Sequence, residues 1–219
     1  MGIMNEKTRE KLNRFIRKSP YLIQKAFLEI KYKRQYARWI KEGKPFPPAR
    51  KVKEGVVDTY RRMTGYNTLV ETGTYYGDMV FALLNKFKKI YSIELDNWLC
   101  SEAQKRFKAF PHVNIMQGDS GKKLTEIVEK LDGPAIFWLD GHYSGGITAL
   151  GEKVTPIFEE LKIIFSTKIN HALLIDDARL FTGVDGYPTL EELKRFIHQY
   201  HPNGDIKVSD DCIQILLKN

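Results

Sequence analysis

The stretch Thr68–Val80, TLVETGTYYGDMV, decides how this chain is read. A short apolar run ends in Glu71, glycines follow at Gly73 and Gly77, and a helical pattern resumes at Met79. Glycine supplies the backbone freedom and close approach that a strand-to-helix turn needs beneath a nucleotide-like ligand. A dinucleotide-binding turn would read G-x-G-x-x-G. Here Glu71 stands at the first glycine position, Tyr76 at the third, and Gly77 comes one residue late. A carboxylate at that first position would repel a pyrophosphate. It suits a ligand that carries positive charge.

Outward from that turn, short apolar strands alternate with amphipathic helices. The strands read as TLVET (68–72), KIYSIEL (89–95), VNIMQ (113–117), AIFWLD (135–140) and HALLID (171–176). Helices are predicted near 79–87, 98–107, 122–131 and 155–165. Such repetition builds a parallel sheet with helices on both faces. The tail departs from it: TLEELKRFIHQY is a helix opened by a Thr189/Glu192 capping box, followed by DIKVS and CIQILLK. Those two strands lie too close together for a helical crossover, so they pair antiparallel.

Upstream the charge changes character. Residues 1–62 hold 18 Lys+Arg against 6 Asp+Glu, a net of +12, whereas the remaining 157 residues carry 17 against 21, a net of −4. The basicity of the chain, +8 overall, therefore belongs to its N-terminal segment. That segment is predicted helical, with Ser19-Pro20 as a start and Ile23, Phe27, Ile30, Ala37 and Ile40 on one face. Gly43 and KPFPP (44–48) stop it, and a second helix follows over about 52–63. We expect a basic helical extension over 1–48 and the main domain over 49–219. The extension reads first as a lid or a homo-oligomer contact; contact with RNA or an anionic membrane surface is the weaker alternative, and nucleic acid is not the expected partner.

Composition narrows the class. At 219 residues with 42% hydrophobic and 28% charged content, the chain reads as a globular domain with an appendage. No run approaches the roughly 18 apolar residues of a spanning helix, and the opening MGIMNEKTREK lacks an apolar secretion core, so a cytoplasmic location is expected. Lys7 occupies the position where a myristoylation site needs Ser or Thr. Cys100 and Cys212 show no metal-ligand spacing and read as reduced and structural.

Two further acids define the ligand. Glu94 closes the second strand 23 residues beyond Glu71, near the spacing at which an acid meets ribose hydroxyls. Asp119 closes the third, placed for an adenine amino group. Ribose, adenine and a cationic tail together point to S-adenosylmethionine. Glu71, Gly73, Thr74, Gly77, Glu94, Asp119 and Ser120 resemble the ligand-binding motifs of class I S-adenosylmethionine-dependent methyltransferases, a likeness running from about Val52 to the C-terminus. The resemblance implies a Rossmann-like, doubly wound α/β fold. Its seven strands would stand in the order 3-2-1-4-5-7-6, with strand 7 antiparallel.

The fourth and fifth strands end in AIFWLDGHYSGG and HALLIDDARLF, bringing Asp140, Asp176 and Asp177 to one edge of the ligand crevice. Three acids at one point repel unless protons or a cation intervene, and an all-oxygen cluster suits Mg²⁺ or Mn²⁺. This is similar to the metal-dependent O-methyltransferases acting on sugar hydroxyls of macrolide and aminocoumarin antibiotics. The resemblance implies Asp140, Asp176 and Asp177 as metal ligands, with Asp140 also bordering the cofactor. His142 replaces the second Asp of a common Asp-Gly-Asp pattern and is the expected catalytic base. Arg179 would hold an anionic substrate group or pair with Asp176.

The expectation is an O-methyltransferase of a small hydroxylated acceptor, a sugar or glycosylated metabolite. A nucleic-acid substrate is disfavoured. The chain has Leu139-Asp140-Gly141-His142 where base methyltransferases commonly carry D/N-P-P-Y/F, and aspartates where ribose methylation commonly uses a lysine. The alternatives are a scaffold that keeps the fold without turnover, and a methyltransferase whose RNA-associated substrate is reached through the basic N-terminus. Intact acids at every expected strand end argue against decay.

Overall fold

The structure, a computed structural model, describes residues 6–141 and 155–218. The chain divides into two compact units, 1–52 and 53–219. In the first, helices α1 (Glu6–Arg17) and α2 (Tyr21–Lys41) are linked by a hydrogen bond from Lys31 Nζ to Asn13 Oδ1 at 3.2 Å. Ser19 does not cap α2 as expected. Its hydroxyl donates back to the Phe15 carbonyl at 3.3 Å, and Pro20, which has no N–H to satisfy, takes the N-cap position. Gly43 ends α2 at φ +82°, where the chain turns out of the helix. Trp39 donates its indole N–H to the Pro45 carbonyl at 2.7 Å. Helix α3 (Arg50–Thr64) begins in this unit and continues into the second.

The second unit holds a seven-stranded sheet. Its parallel strands are β1 (Thr68–Thr72), β2 (Lys89–Glu94), β3 (Val113–Gln117), β4 (Ile136–Leu139) and β5 (Ala172–Ile175). The order is β3-β2-β1-β4-β5-β7-β6, where β6 (Asp205–Ser209) and β7 (Cys212–Leu216) pair antiparallel and β7 also runs antiparallel to β5. Connecting β1 to the sheet edge and back are α4 (Asp78–Leu83), α5 (Asn97–Phe107), α6 (Ser120–Val128) and α7 (Ile157–Ser166); α8 (Leu190–Tyr200) precedes the terminal pair. Thr189 and Glu192 form the reciprocal cap of α8.

The central strands β1, β4 and β5 are buried along their whole length, so they read as continuous apolar runs. One face carries Val70, Phe137, Leu139, Leu173 and Ile175 beneath Leu124 and Ile127 of α6, Leu161 and Ile164 of α7, and Leu193 and Ile197 of α8. Edge strands β3 and β6 are only half covered. Two helix ends differ from the periodicity. Helix α4 stops at Leu83 because the next residues turn, Lys86 N–H bonding to Leu83 O at 2.9 Å, and return buried Phe87 to the core. Helix α6 starts at Ser120, two residues before the apolar pattern, because Asp119 caps it.

Candidate active site

The crevice forms where strand order reverses, between β1 and β4. Hydrogen bonds carry the ladder past the strand ends: Asp140 N–H to Thr72 O at 3.1 Å and Asp176 N–H to Leu139 O at 3.0 Å. The residues following β1, β4 and β5 are thereby set side by side. Gly73 lies at φ +83°, and a Cβ there would strike the Asp140 carbonyl. Gly77, at φ +71°, caps α4, and a Cβ on it would lie 2.5 Å from the Phe107 ring. Both glycines are thus required by conformation and by space.

Below the turn, Glu71 is buried and accepts a hydrogen bond from the Ser92 hydroxyl, its register neighbour on β2. Thr74 Oγ1 lies 2.5 Å from the same hydroxyl. The Glu94 carboxylate accepts from the Tyr75 N–H at 2.6 Å and from the Asp96 N–H at 3.0 Å. Burial raises its pKa, and the two amides offset part of that rise. Asp119 accepts from Gly121 N–H at 2.9 Å as the α6 cap, and Ser120 beside it is buried. The turn is also held from α5. Arg106, almost wholly buried, donates to the Tyr76 carbonyl at 2.6 Å and to Asp78 at 2.7 Å. Tyr75, Tyr76 and Trp98 form a chain of edge-on ring contacts along this margin.

Asp140, Asp176 and Asp177 come together: one carboxylate oxygen from each lies within 4.8 Å of the others. Their spacing and all-oxygen chemistry fit a hard divalent cation. Lys53 of α3 enters the same cluster. Its ammonium bonds to Asp176 Oδ2 and, at 3.1 Å, to Asp177 Oδ1. Burial opposes its charge, yet Asp176, Asp140 and Asp177 outweigh burial and hold the pKa at about 12. Arg179 donates to Asp177 Oδ1 at 2.8 Å and to Asp211 Oδ2, so its partners are these two acids. Burial drives the Asp140 carboxyl well above the carboxylate range; Asp176 pushes the same way, and Lys53 opposes. The expected base, His142, and its neighbour Tyr143 lie outside the described residues.

Two site residues were not anticipated. Lys53 continues the stripe of Val56, Val57 and Tyr60 at helical spacing, and a lysine in line with buried valines is the one signal that foretells a buried acid partner. Glu160 of α7 is buried, and its Oε1 has no hydrogen-bond partner among the described residues. It faces Gly141, where an added Cβ would lie 2.9 Å from Glu160 Oε1, 3.0 Å from Thr72 Oγ1 and 3.2 Å from Ser120 Oγ. Burial lifts its pKa to about 7 against the Ser120 and Thr72 hydroxyls, which favour the ionised form.

The strand order β3-β2-β1-β4-β5-β7-β6 with β7 antiparallel is a Rossmann-like fold of the kind seen in methyltransferases. Solved structures share it. The S-adenosylhomocysteine-bound methyltransferase PaMTH1 of Podospora anserina matches with a TM-score of 0.55 at 17% identity, covering 100% of this chain and 99% of that one. An O-methyltransferase from Bacillus cereus in complex with S-adenosylhomocysteine gives 0.55 at 13% identity, over 80% of this chain and 84% of that one. The O-methyltransferase TomG from Streptomyces achromogenes, in complex with S-adenosylmethionine, gives 0.53 at 14%, over 86% and 89%. At these identities the likeness is one of fold. No protein-family model matches the chain, and no curated protein does. No helix among the described residues is long and apolar enough to cross a membrane.

Proposed function

We propose that the chain is an S-adenosylmethionine-dependent O-methyltransferase acting on a hydroxyl of a small molecule, a sugar or glycosylated metabolite. The observation that carries this reading is the line of acids along one sheet edge, Glu71, Glu94, Asp119, Asp140 and Asp176, beside a turn that tolerates only glycine at positions 73 and 77. The relatives in fold that bear methyltransferase names, two of them O-methyltransferases, support the same class.

In this reading Glu71 offers negative charge toward a cationic ligand tail, Gly73, Thr74 and Gly77 let the backbone approach it, Glu94 accepts from ribose hydroxyls, and Asp119 with Ser120 borders the base. The cofactor supplies an already electrophilic methyl group, so the protein's task is to present an oxygen nucleophile in line with it. Asp140, Asp176 and Asp177 would hold Mg²⁺ or Mn²⁺. When bound, such an ion lowers the pKa of a coordinated hydroxyl. His142 is the proposed acceptor of the hydroxyl proton.

The deciding experiment is calorimetric titration of S-adenosylhomocysteine with Mg²⁺ and again in chelator. Micromolar binding in both supports the cofactor assignment and leaves the metal to the acceptor step. No binding in either condition overturns the methyltransferase reading and leaves the scaffold alternative.

A further inference from the structure

We infer that Lys53 is the resident countercation of the acidic cluster and that a divalent metal ion enters only by displacing it. The inference rests on the metal-assisted reading above and adds a residue that the reading does not contain. The geometry is direct: the ammonium bonds to Asp176 Oδ2 and Asp177 Oδ1, two of the three carboxylates whose oxygens lie within 4.8 Å of one another. Those oxygens cannot serve the lysine and the ion at full strength together. An ion held by Asp140, Asp176 and Asp177 would compete with the ammonium for the same carboxylates. Like charges on the same groups in a half-dry pocket repel strongly.

Lysine is suited to leave. Its ammonium is a point charge on a four-carbon stem, without the fixed fork of an arginine. The Lys53 side chain keeps 19% exposure, against 1% for the Asp176 it neutralises, so it is the less enclosed member of the pair. Arg179 is not a candidate for the same exchange. It spans Asp177 and Asp211 and carries the Asp211-bonded backbone of its own turn, Arg179 N–H to Asp211 Oδ1 at 2.9 Å. The cluster therefore contains one fixed cation and one exchangeable one. With Arg179 committed to Asp177 and Asp211, Lys53 is left to neutralise Asp176 and Asp140, and a divalent ion would serve that pair with twice its charge. Metal loading would release the Lys53 ammonium from Asp176 and Asp177.

The test measures Mn²⁺ binding to the full chain by titration calorimetry, in wild type and Lys53→Met, with S-adenosylhomocysteine titrated into the same samples. The expected result is at least tenfold tighter Mn²⁺ binding in K53M. A second measurement uses wild type alone, because the variant leaves Asp176 buried without its cation. Acetylation of Lys53, read by peptide mass spectrometry against exposed Lys88, should rise severalfold when Mn²⁺ is added. Equal or weaker Mn²⁺ binding in K53M, or Lys53 reactivity unmoved by bound Mn²⁺, overturns the exchange. Absence of Mn²⁺ binding to both proteins overturns it too. In every case S-adenosylhomocysteine binding reports separately whether the methyltransferase reading stands.

Discussion

Replacing Glu160 by Gln should stabilise the protein at alkaline pH and do almost nothing at acid pH. The carboxyl is buried with one oxygen unpartnered among the described residues, and its pKa stands at about 7 against an ordinary 4.5. A folded-state pKa above the unfolded value means that the native state binds the extra proton. The group's favourable contribution is complete below pH 4.5 and is lost as pH rises through 7. Above that, ionised Glu160 costs about 3 kcal/mol relative to its neutral form, at about 1.4 kcal/mol for each tenfold change in proton affinity. Glutamine keeps the shape and cannot ionise, and the Thr72 and Ser120 hydroxyls can accept from its amide.

The gain should be under 1 kcal/mol at pH 5 and about 2–3 kcal/mol at pH 8. For a domain of this size that is roughly 5–10 °C in melting temperature at pH 8. Thermal unfolding followed by tryptophan fluorescence reads it, because Trp138 is fully buried in β4. A difference between E160Q and wild type that does not change from pH 5 to pH 8 would refute the assignment. So would a less stable variant at pH 8, which would mean that ionised Glu160 makes contacts worth more than its desolvation.

His171 should act in the opposite sense. Burial lowers its pKa to about 4, so its contribution is present above pH 6.5 and is lost as pH falls toward 4, by up to about 3 kcal/mol; in H171Q the melting temperature should fall less steeply between those limits. Gly73→Ala forces a side chain onto the Asp140 carbonyl at a positive φ, costing about 1–2 kcal/mol in strain alone, and calorimetry should show at least tenfold weaker S-adenosylhomocysteine binding. Arg106→Met leaves Asp78 buried without its cation and should cost about 3–5 kcal/mol in urea unfolding. Asp177→Asn retains a residue type tolerant of φ +54° while removing one charge, and should lower turnover at least a hundredfold with S-adenosylhomocysteine affinity unchanged.

The strands and the acids ending them were legible because both are local signals. Val70, Phe137 and Leu174 sit in short apolar runs, and a polar residue closing such a run must reach the sheet edge. The order of strands came from resemblance, since nothing local specifies which neighbours β1 takes. Lys53 is singled out among the 18 basic residues of 1–62 only by its place in the stripe of Val56, Val57 and Tyr60, and its partner, 123 positions away, is not marked by anything local. Glu160 resembles any glutamate near the start of a helix, where negative charge is commonly solvated and favourable; only the packing of α7 against Thr72 and Ser120 reveals that it is buried. Helix ends were blurred where a cap, as at Asp119, overruled apolar periodicity. Ser19 shows the reverse, a cap-forming residue that bonds backward instead.

The glycine turn holds one residue that no propensity argument would put there. Tyr75 lies at φ +51°, a region that costs a bulky side chain on the order of 1–3 kcal/mol. One bond that favours it comes from the Glu94 carboxylate, which takes the Tyr75 N–H at 2.6 Å, a charge-assisted bond worth about 1.5–3 kcal/mol. The two magnitudes are of the same order, so Glu94 offsets the strain at Tyr75, while Arg106 on the Tyr76 carbonyl and the Gly73 and Thr74 N–H bonds to the Ile93 carbonyl hold the rest of the turn. Burial already pulls that carboxyl toward protonation. If Glu94 also accepts ribose hydroxyls as proposed, those donors favour its ionised form further. Ligand binding would then reinforce the bond that restrains Tyr75, and the loop and the ligand would order one another through a single side chain.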